Sequence, residues 1–193
     1  MKETLRALFA PGTPGRRRFL GLGATALALP FASRLAAFAP PEPLPPDRDL
    51  SFFNTHTGES AALEYCRSGC LIPESLAAIN HILRDTRTDE TKAIDVGLLD
   101  LLVRLSRAVP TSEPFHVISG YRSPSTNDYL RRTGGGGVAA HSLHLVGKAI
   151  DIRVPGVALR SLYRTAVGLR GGGVGIYPGS DFIHVDVGRV RTW

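Results

Sequence analysis

Apolar residues recur along this chain in two rhythms, one of period two and one of helical period. The first marks short strands rich in β-branched residues, Ala149–Ile152 and Phe182–Val187, with two more at Leu50–Asn54 and Phe115–Ile118. Because strand side chains alternate, Ile183, Val185 and Val187 are expected to face the core, leaving Phe182, His184 and Asp186 on the other side. In the companion strand Ile150 and Ile152 point one way, Ala149 and Asp151 the other. The second rhythm predicts helices. Leu76, Ile79 and Leu83 fall at near-helical spacing within Pro73–Arg84, and Val96, Leu99, Leu102, Val103 and Leu105 do so within Ile94–Val109. A short helix is expected at Thr126–Arg132 and an amphipathic one at Val157–Leu169, with the glycine runs at 134–137 and 171–173 read as loops. Helices come early and strands gather late, which predicts an α+β fold around a small antiparallel core sheet flanked by helices.

The first 39 residues follow a different logic. Arg16-Arg17-Arg18-Phe19-Leu20 precedes an apolar run from Gly21 to Ala32, and Ala37-Phe38-Ala39 offers small residues for cleavage, although Pro40 hinders cutting there. An Arg-Arg pair followed by Phe-Leu resembles a twin-arginine signal, so residues 1–39 are read as a leader addressed to the twin-arginine translocase and the destination as the periplasm. The apolar run is shorter than the roughly 20 residues of a membrane span, so membrane attachment is expected only if the leader stays uncleaved. Proline-rich residues 40–49 read as a stiff linker, and residues 50–193 as one domain of sufficient length for a sizeable core.

Charge is affected most by that division. The formal net charge is +6, but six basic residues and one acidic residue lie in the leader. The remainder holds 17 basic against 16 acidic residues, about +1, which excludes an electrostatic case for nucleic-acid binding. Cys66 and Cys70 are the only cysteines. In an oxidising compartment they could close a small ring of little stabilising value, or stay free.

The candidate chemistry lies in Ser142-Leu143-His144-Leu145-Val146-Gly147-Lys148-Ala149-Ile150-Asp151, answered by His184-Val185-Asp186. Two imidazoles and a carboxylate brought together make a three-ligand zinc site with its fourth position open, the arrangement of a hydrolase. If the two late strands are adjacent, Asp151 and His184 converge on one face. Gly147 would let the chain turn so that His144 joins them from the preceding loop.

These residues resemble the M15 family of zinc peptidases, whose pattern Ser-x-His-x-x-Gly-x-Ala-x-Asp is matched by Ser142, His144, Gly147, Ala149 and Asp151. The likeness is to its murein endopeptidase branch and runs from Leu50 to Trp193, through Asn54–Glu59, Asn80–Asp85, Ser119–Ser123 and His184–Gly188. It implies a hedgehog/DD-peptidase-like fold, zinc as cofactor, His144, Asp151 and His184 as ligands, and the peptide part of peptidoglycan as substrate. Arg122 resembles the family arginine near the cleft, where a guanidinium can hold a carbonyl or a developing oxyanion.

Proton transfer is divided between two aspartates. Dipeptidase relatives place a Glu three residues before the last ligand, where this chain has the shorter Asp181. Asp186 shares a strand face with His184 and is the preferred base, its other reading being a partner that orients a ligand. His56 reads as a turn residue and His141 as an edge of the cleft. Two other readings stay open: a D,D- or L,D-carboxypeptidase trimming stem peptides, and a non-catalytic zinc-containing cell-wall-binding module.

Overall fold

The computed structural model describes residues 43–133 and 138–193. The leader at 1–39 and the glycine run at 134–137 lie outside the described residues. Eight strands and four α-helices are formed among those described: β1 Arg48–Asn54, β2 Ser60–Arg67, β3 Cys70–Leu71, α1 Pro73–Ile82, α2 Val96–Ala108, β4 Phe115–Ser119, α3 Pro124–Thr133, β5 Ala149–Arg153, α4 Leu159–Leu169, β6 Gly173–Tyr177, β7 Phe182–Asp186 and β8 Arg191–Thr192. The fold is α+β, as the order of the patterns predicts.

Helix boundaries follow local chemistry. Pro73 opens α1, where a missing N–H costs nothing. The Asp95 side chain caps α2 by accepting from the Gly97 amide at 2.8 Å. Helix α1 stops at Ile82, two residues before the expected Arg84, whose guanidinium instead reaches back to the His81 carbonyl and across to Glu59.

The sheet departs from expectation. It is neither small nor purely antiparallel: eight strands lie in the order β3-β2-β1-β4-β5-β7-β6-β8, with β1/β4 and β6/β8 parallel and the remaining pairs antiparallel. The parallel pairing of β1 with β4 joins segments separated by helices α1 and α2, a long-range contact that no local pattern announces. Strands β2, β3, β6 and β8 add to those expected: β3 and β8 span two residues each, and β6 begins at Gly173, within the glycine run read as a loop. Arg48 and Asp49 already pair with β2, and Leu44 packs on the core, so ordered structure begins within the stretch read as linker.

At the centre of the sheet the alternation holds. Ile150, Ile152, Ile183 and Val185 are buried with residues of α2 and α4 in one apolar core. Each such side chain contributes about 1.5–3 kcal/mol relative to exposure. The opposite face of β5 and β7 is thereby left to Asp151 and His184. Cys66 and Cys70 are both free thiols, Cys66 buried against Arg48 and Cys70 exposed.

Candidate metal centre

Asp151 and His184 are direct partners across the antiparallel β5/β7 pair. His144 arrives from a one-turn 3-10 helix, Leu143–Val146, which begins at Ser142 and ends on Gly147 in the left-handed conformation, φ +67°. A Cβ at Gly147 would also lie 2.3 Å from the Ala93 carbonyl, so strain and close approach both demand glycine there. Gly147→Ala is expected to destabilise the domain by about 2 kcal/mol or more, read as a lowered urea midpoint.

The three side chains meet through single atoms. His144 Nε2 lies 3.2 Å from Asp151 Oδ1 and 3.2 Å from His184 Nδ1, and His184 Nδ1 lies 2.9 Å from Asp151 Oδ1. Tetrahedral zinc bound at 2.0–2.1 Å requires neighbouring donors about 3.3–3.4 Å apart, so the triangle is close to the required size.

The outer nitrogens fix the tautomers. His144 Nδ1 donates to the Gly120 carbonyl at 2.6 Å, and His184 Nε2 donates to Asp186 Oδ2 at 3.0 Å. Both remaining nitrogens therefore turn lone pairs inward toward a carboxylate oxygen, an arrangement that repels itself unless a cation or shared proton sits among them. The group can hold a metal ion.

Electrostatics follow this packing. Burial pushes the His144 imidazole below its ordinary pKa. Burial acts the same way on His184, but Asp151 and Asp186 outweigh it and raise that imidazole. Asp151 is held well below the usual carboxylate range: burial opposes ionisation, and the two imidazoles overcome it. Arg122 adds to the anchoring. Its Nη2 donates to Asp151 Oδ2 at 2.9 Å, and its Nε and Nη2 donate to Ser119 Oγ at 3.3 and 3.2 Å.

The two candidate bases are placed unlike one another. Asp186 is fully buried behind His184. Besides His184 it accepts from Arg191 Nη1 and Nη2 at 3.1 and 2.7 Å, from the Gly173 amide at 3.0 Å and from the Gly188 amide at 2.8 Å. Burial raises its pKa, yet His184, Arg191 and these amides hold it well below the ordinary range. Asp181 closes a 3-10 turn in the left-handed conformation, with its side chain two-thirds exposed and 3.5 Å from Arg153. It does not line the cleft over the triangle.

That cleft encloses about 240 Å³. His141 lines its edge, as expected, and His56 is a turn residue whose Nε2 lies 3.0 Å from the Ile118 carbonyl. The opposite wall is aromatic: Phe182 stands on the strand face expected of it, whereas Tyr177 and Trp193 have no counterpart in the sequence reading. Trp193 Nε1 donates to the Tyr177 hydroxyl at 2.8 Å, Tyr177 stacks on Phe182 at 4.7 Å, and the Trp193 ring lies 5.2 Å from His184. Spacing gives no sign of this wall, because β8 must first return beside β6 to bring Trp193 to the site.

A family profile described as peptidoglycan L,D-endopeptidase MepK, one of the M15 peptidases, matches residues 43–193. The chain belongs to this family. It is 42% identical over 180 residues to the peptidoglycan L,D-endopeptidase MepK of Escherichia coli K12, covering 92% of this chain and 96% of that protein. It is 40% identical over 181 residues to the probable peptidoglycan L,D-endopeptidase MepK of Haemophilus influenzae, covering 92% and 95%. M15 members are metallopeptidases, and the pattern that carried the resemblance supplies His144 and Asp151 of the triangle, which His184 completes from β7.

Proposed function

We propose that the chain is an exported zinc endopeptidase that hydrolyses peptide cross-links in peptidoglycan, with His144 Nε2, Asp151 Oδ1 and His184 Nδ1 as the zinc ligands. The observation that carries this is the triangle itself, three inward-facing donor atoms at 2.9–3.2 Å beneath an open cleft. Its histidine–carboxylate donor set suits zinc, and a fourth position left to the cleft suits catalysis. The chemistry zinc supplies at such a centre is Lewis acidity, which lowers the pKa of water and polarises a scissile carbonyl.

The protein's own part is positioning. Arg122 holds Asp151 so that Oδ1 turns inward, while the same guanidinium lines the cleft where an oxyanion would develop. Asp186 is proposed as the group that orients His184 and fixes its tautomer, in place of the expected role as proton acceptor. A base must reach the attacking water, and every side of the Asp186 carboxylate is taken by a donor. The Trp193–Tyr177–Phe182 wall gives the substrate a rigid apolar surface beside the metal.

The names of the relatives favour an L,D bond, and an endopeptidase over a carboxypeptidase. The test is to incubate the domain with purified peptidoglycan, with and without a chelator, and to identify the released muropeptides. Zinc-dependent loss of L,D-cross-linked dimers is expected; trimming of monomer tails alone would show a carboxypeptidase instead.

Export through the twin-arginine translocase to the periplasm is proposed from the leader, which lies outside the described residues; among those described, no helix is long and apolar enough to cross a membrane. Replacing Arg16 and Arg17 by Lys keeps the charge but removes the arginine pair a receptor reads. Precursor is expected to accumulate in the cytoplasm, seen by fractionation, and normal export of the variant would show the leader to be misread.

A further inference from the structure

The cleft does not end at the metal triangle. Arg122, Val138, Asp151 and Phe182 line the cavity over the triangle and also border a second depression of about 420 Å³, on the far side of the Arg122–Asp151 pair. The end of β4 contributes to this second space, as do the turn after β1 and the segment that follows α1.

Most of its polar groups are already committed. Asn54 donates to the Ile82 carbonyl and accepts from the His56 and Thr57 amides. Asp85 accepts from the Ser123 amide at 2.7 Å and from the Arg87 amide at 2.9 Å. Arg84 is paired with both Glu59 and Asp89. Arg87 is different: it lies 5.9 Å over the Tyr129 ring and has no carboxylate partner among the described residues. The backbone bond from its amide to Asp85 fixes the base of the side chain at the rim. One exposed guanidinium outside any ion pair thus borders a depression that shares its lining with the cavity over the metal site.

We propose that this depression receives one arm of the cross-linked substrate and that Arg87 binds a free carboxylate of that arm. The inference rests on the endopeptidase reading and extends it. A carboxypeptidase needs room for chain on one side of the scissile bond, whereas a cross-link continues on both. Here the cavity over the metal triangle, walled by Trp193 and Tyr177, is continued past Arg122, Asp151 and Phe182 by the depression that Arg87 borders. Stem peptides carry carboxylates outside the bond that is cut, and a planar guanidinium outside any ion pair, held over Tyr129 at the rim, is suited to hold one bidentately.

The test uses the domain with zinc bound and a purified cross-linked muropeptide dimer, in its free-acid form and with its free carboxylates amidated. Arg87→Ala is expected to lower kcat/KM on the free-acid dimer by about 10-fold to 100-fold, mostly through KM. Zinc content and the thermal midpoint should stay at wild-type values, and Arg87→Lys should recover part of the loss. On the amidated dimer, wild type and Arg87→Ala should perform alike. An unchanged KM for Arg87→Ala on the free-acid dimer, or an equal loss on the amidated dimer, would overturn the assignment of Arg87 while leaving the endopeptidase reading intact. If wild type cuts neither dimer, the endopeptidase reading fails and the second-arm site fails with it.

Discussion

Replacing His144 and His184 together by Ala should remove bound metal and activity in one step. The triangle offers three inward donors, and the double variant leaves only Asp151 Oδ1, already tied through its carboxylate to Arg122. A single carboxylate on a strand cannot hold zinc against water at ordinary concentrations of the ion. Activity should fall about 10³-fold or more, the equivalent of the several kcal/mol of charge stabilisation that a bound Lewis acid provides. Elemental analysis and a muropeptide release assay check the two losses separately, and a chelator should reproduce the second in wild type until zinc is restored. Full metal content in the double variant would place the ion elsewhere in the molecule.

Asp186→Asn should weaken zinc binding by about 10-fold to 100-fold, the usual cost of disturbing a group behind a metal ligand. Asn keeps the shape but exchanges one acceptor oxygen for an NH2 donor. Wherever that NH2 turns it meets another donor, since Oδ1 serves Arg191 and two backbone amides while Oδ2 serves His184 and Arg191. A buried donor then goes unsatisfied, costing about 1–3 kcal/mol of stability as well. At saturating zinc, turnover should recover most of its wild-type value. Asp181→Asn should change neither affinity nor turnover, because that exposed side chain lies outside the cleft and pairs with Arg153. Zinc titrations and turnover at equal occupancy distinguish the cases. An Asp186→Asn protein with wild-type zinc affinity and a 10²-fold to 10⁴-fold loss of turnover would return Asp186 to the role of base.

How far these roles were legible from residues alone differs from one to the next. Period-two alternation in Ala149–Ile152 and Phe182–Val187 placed Asp151 and His184 on the face opposite the core, and the antiparallel β5/β7 pairing then sets them directly across from each other. The Ser-x-His-x-x-Gly-x-Ala-x-Asp pattern carried His144 as well, since Gly147 is required by a local left-handed turn. Alternation could not decide between the uses of Asp186. It correctly assigned the side of the strand but not what stands there, because Gly173, Gly188 and Arg191 come from other segments.

What the sequence by itself determined was the α+β class and the central strands, which depend on local periodicity; the proposed ligands His144 and Asp151 were legible from spacing within one short motif, and His184 from its place on the facing strand. Only the tertiary structure decided the mixed eight-stranded sheet, the inward tautomers of the two histidines, the aromatic wall at Trp193 and the depression at Arg87. Each of these depends on contacts between segments distant along the chain, such as β1 with β4, β6 with β8, and Gly120 with His144. Residue spacing fixes which side chains a short element can present together, whereas the partner each one meets is set by chain closure and burial of the whole core.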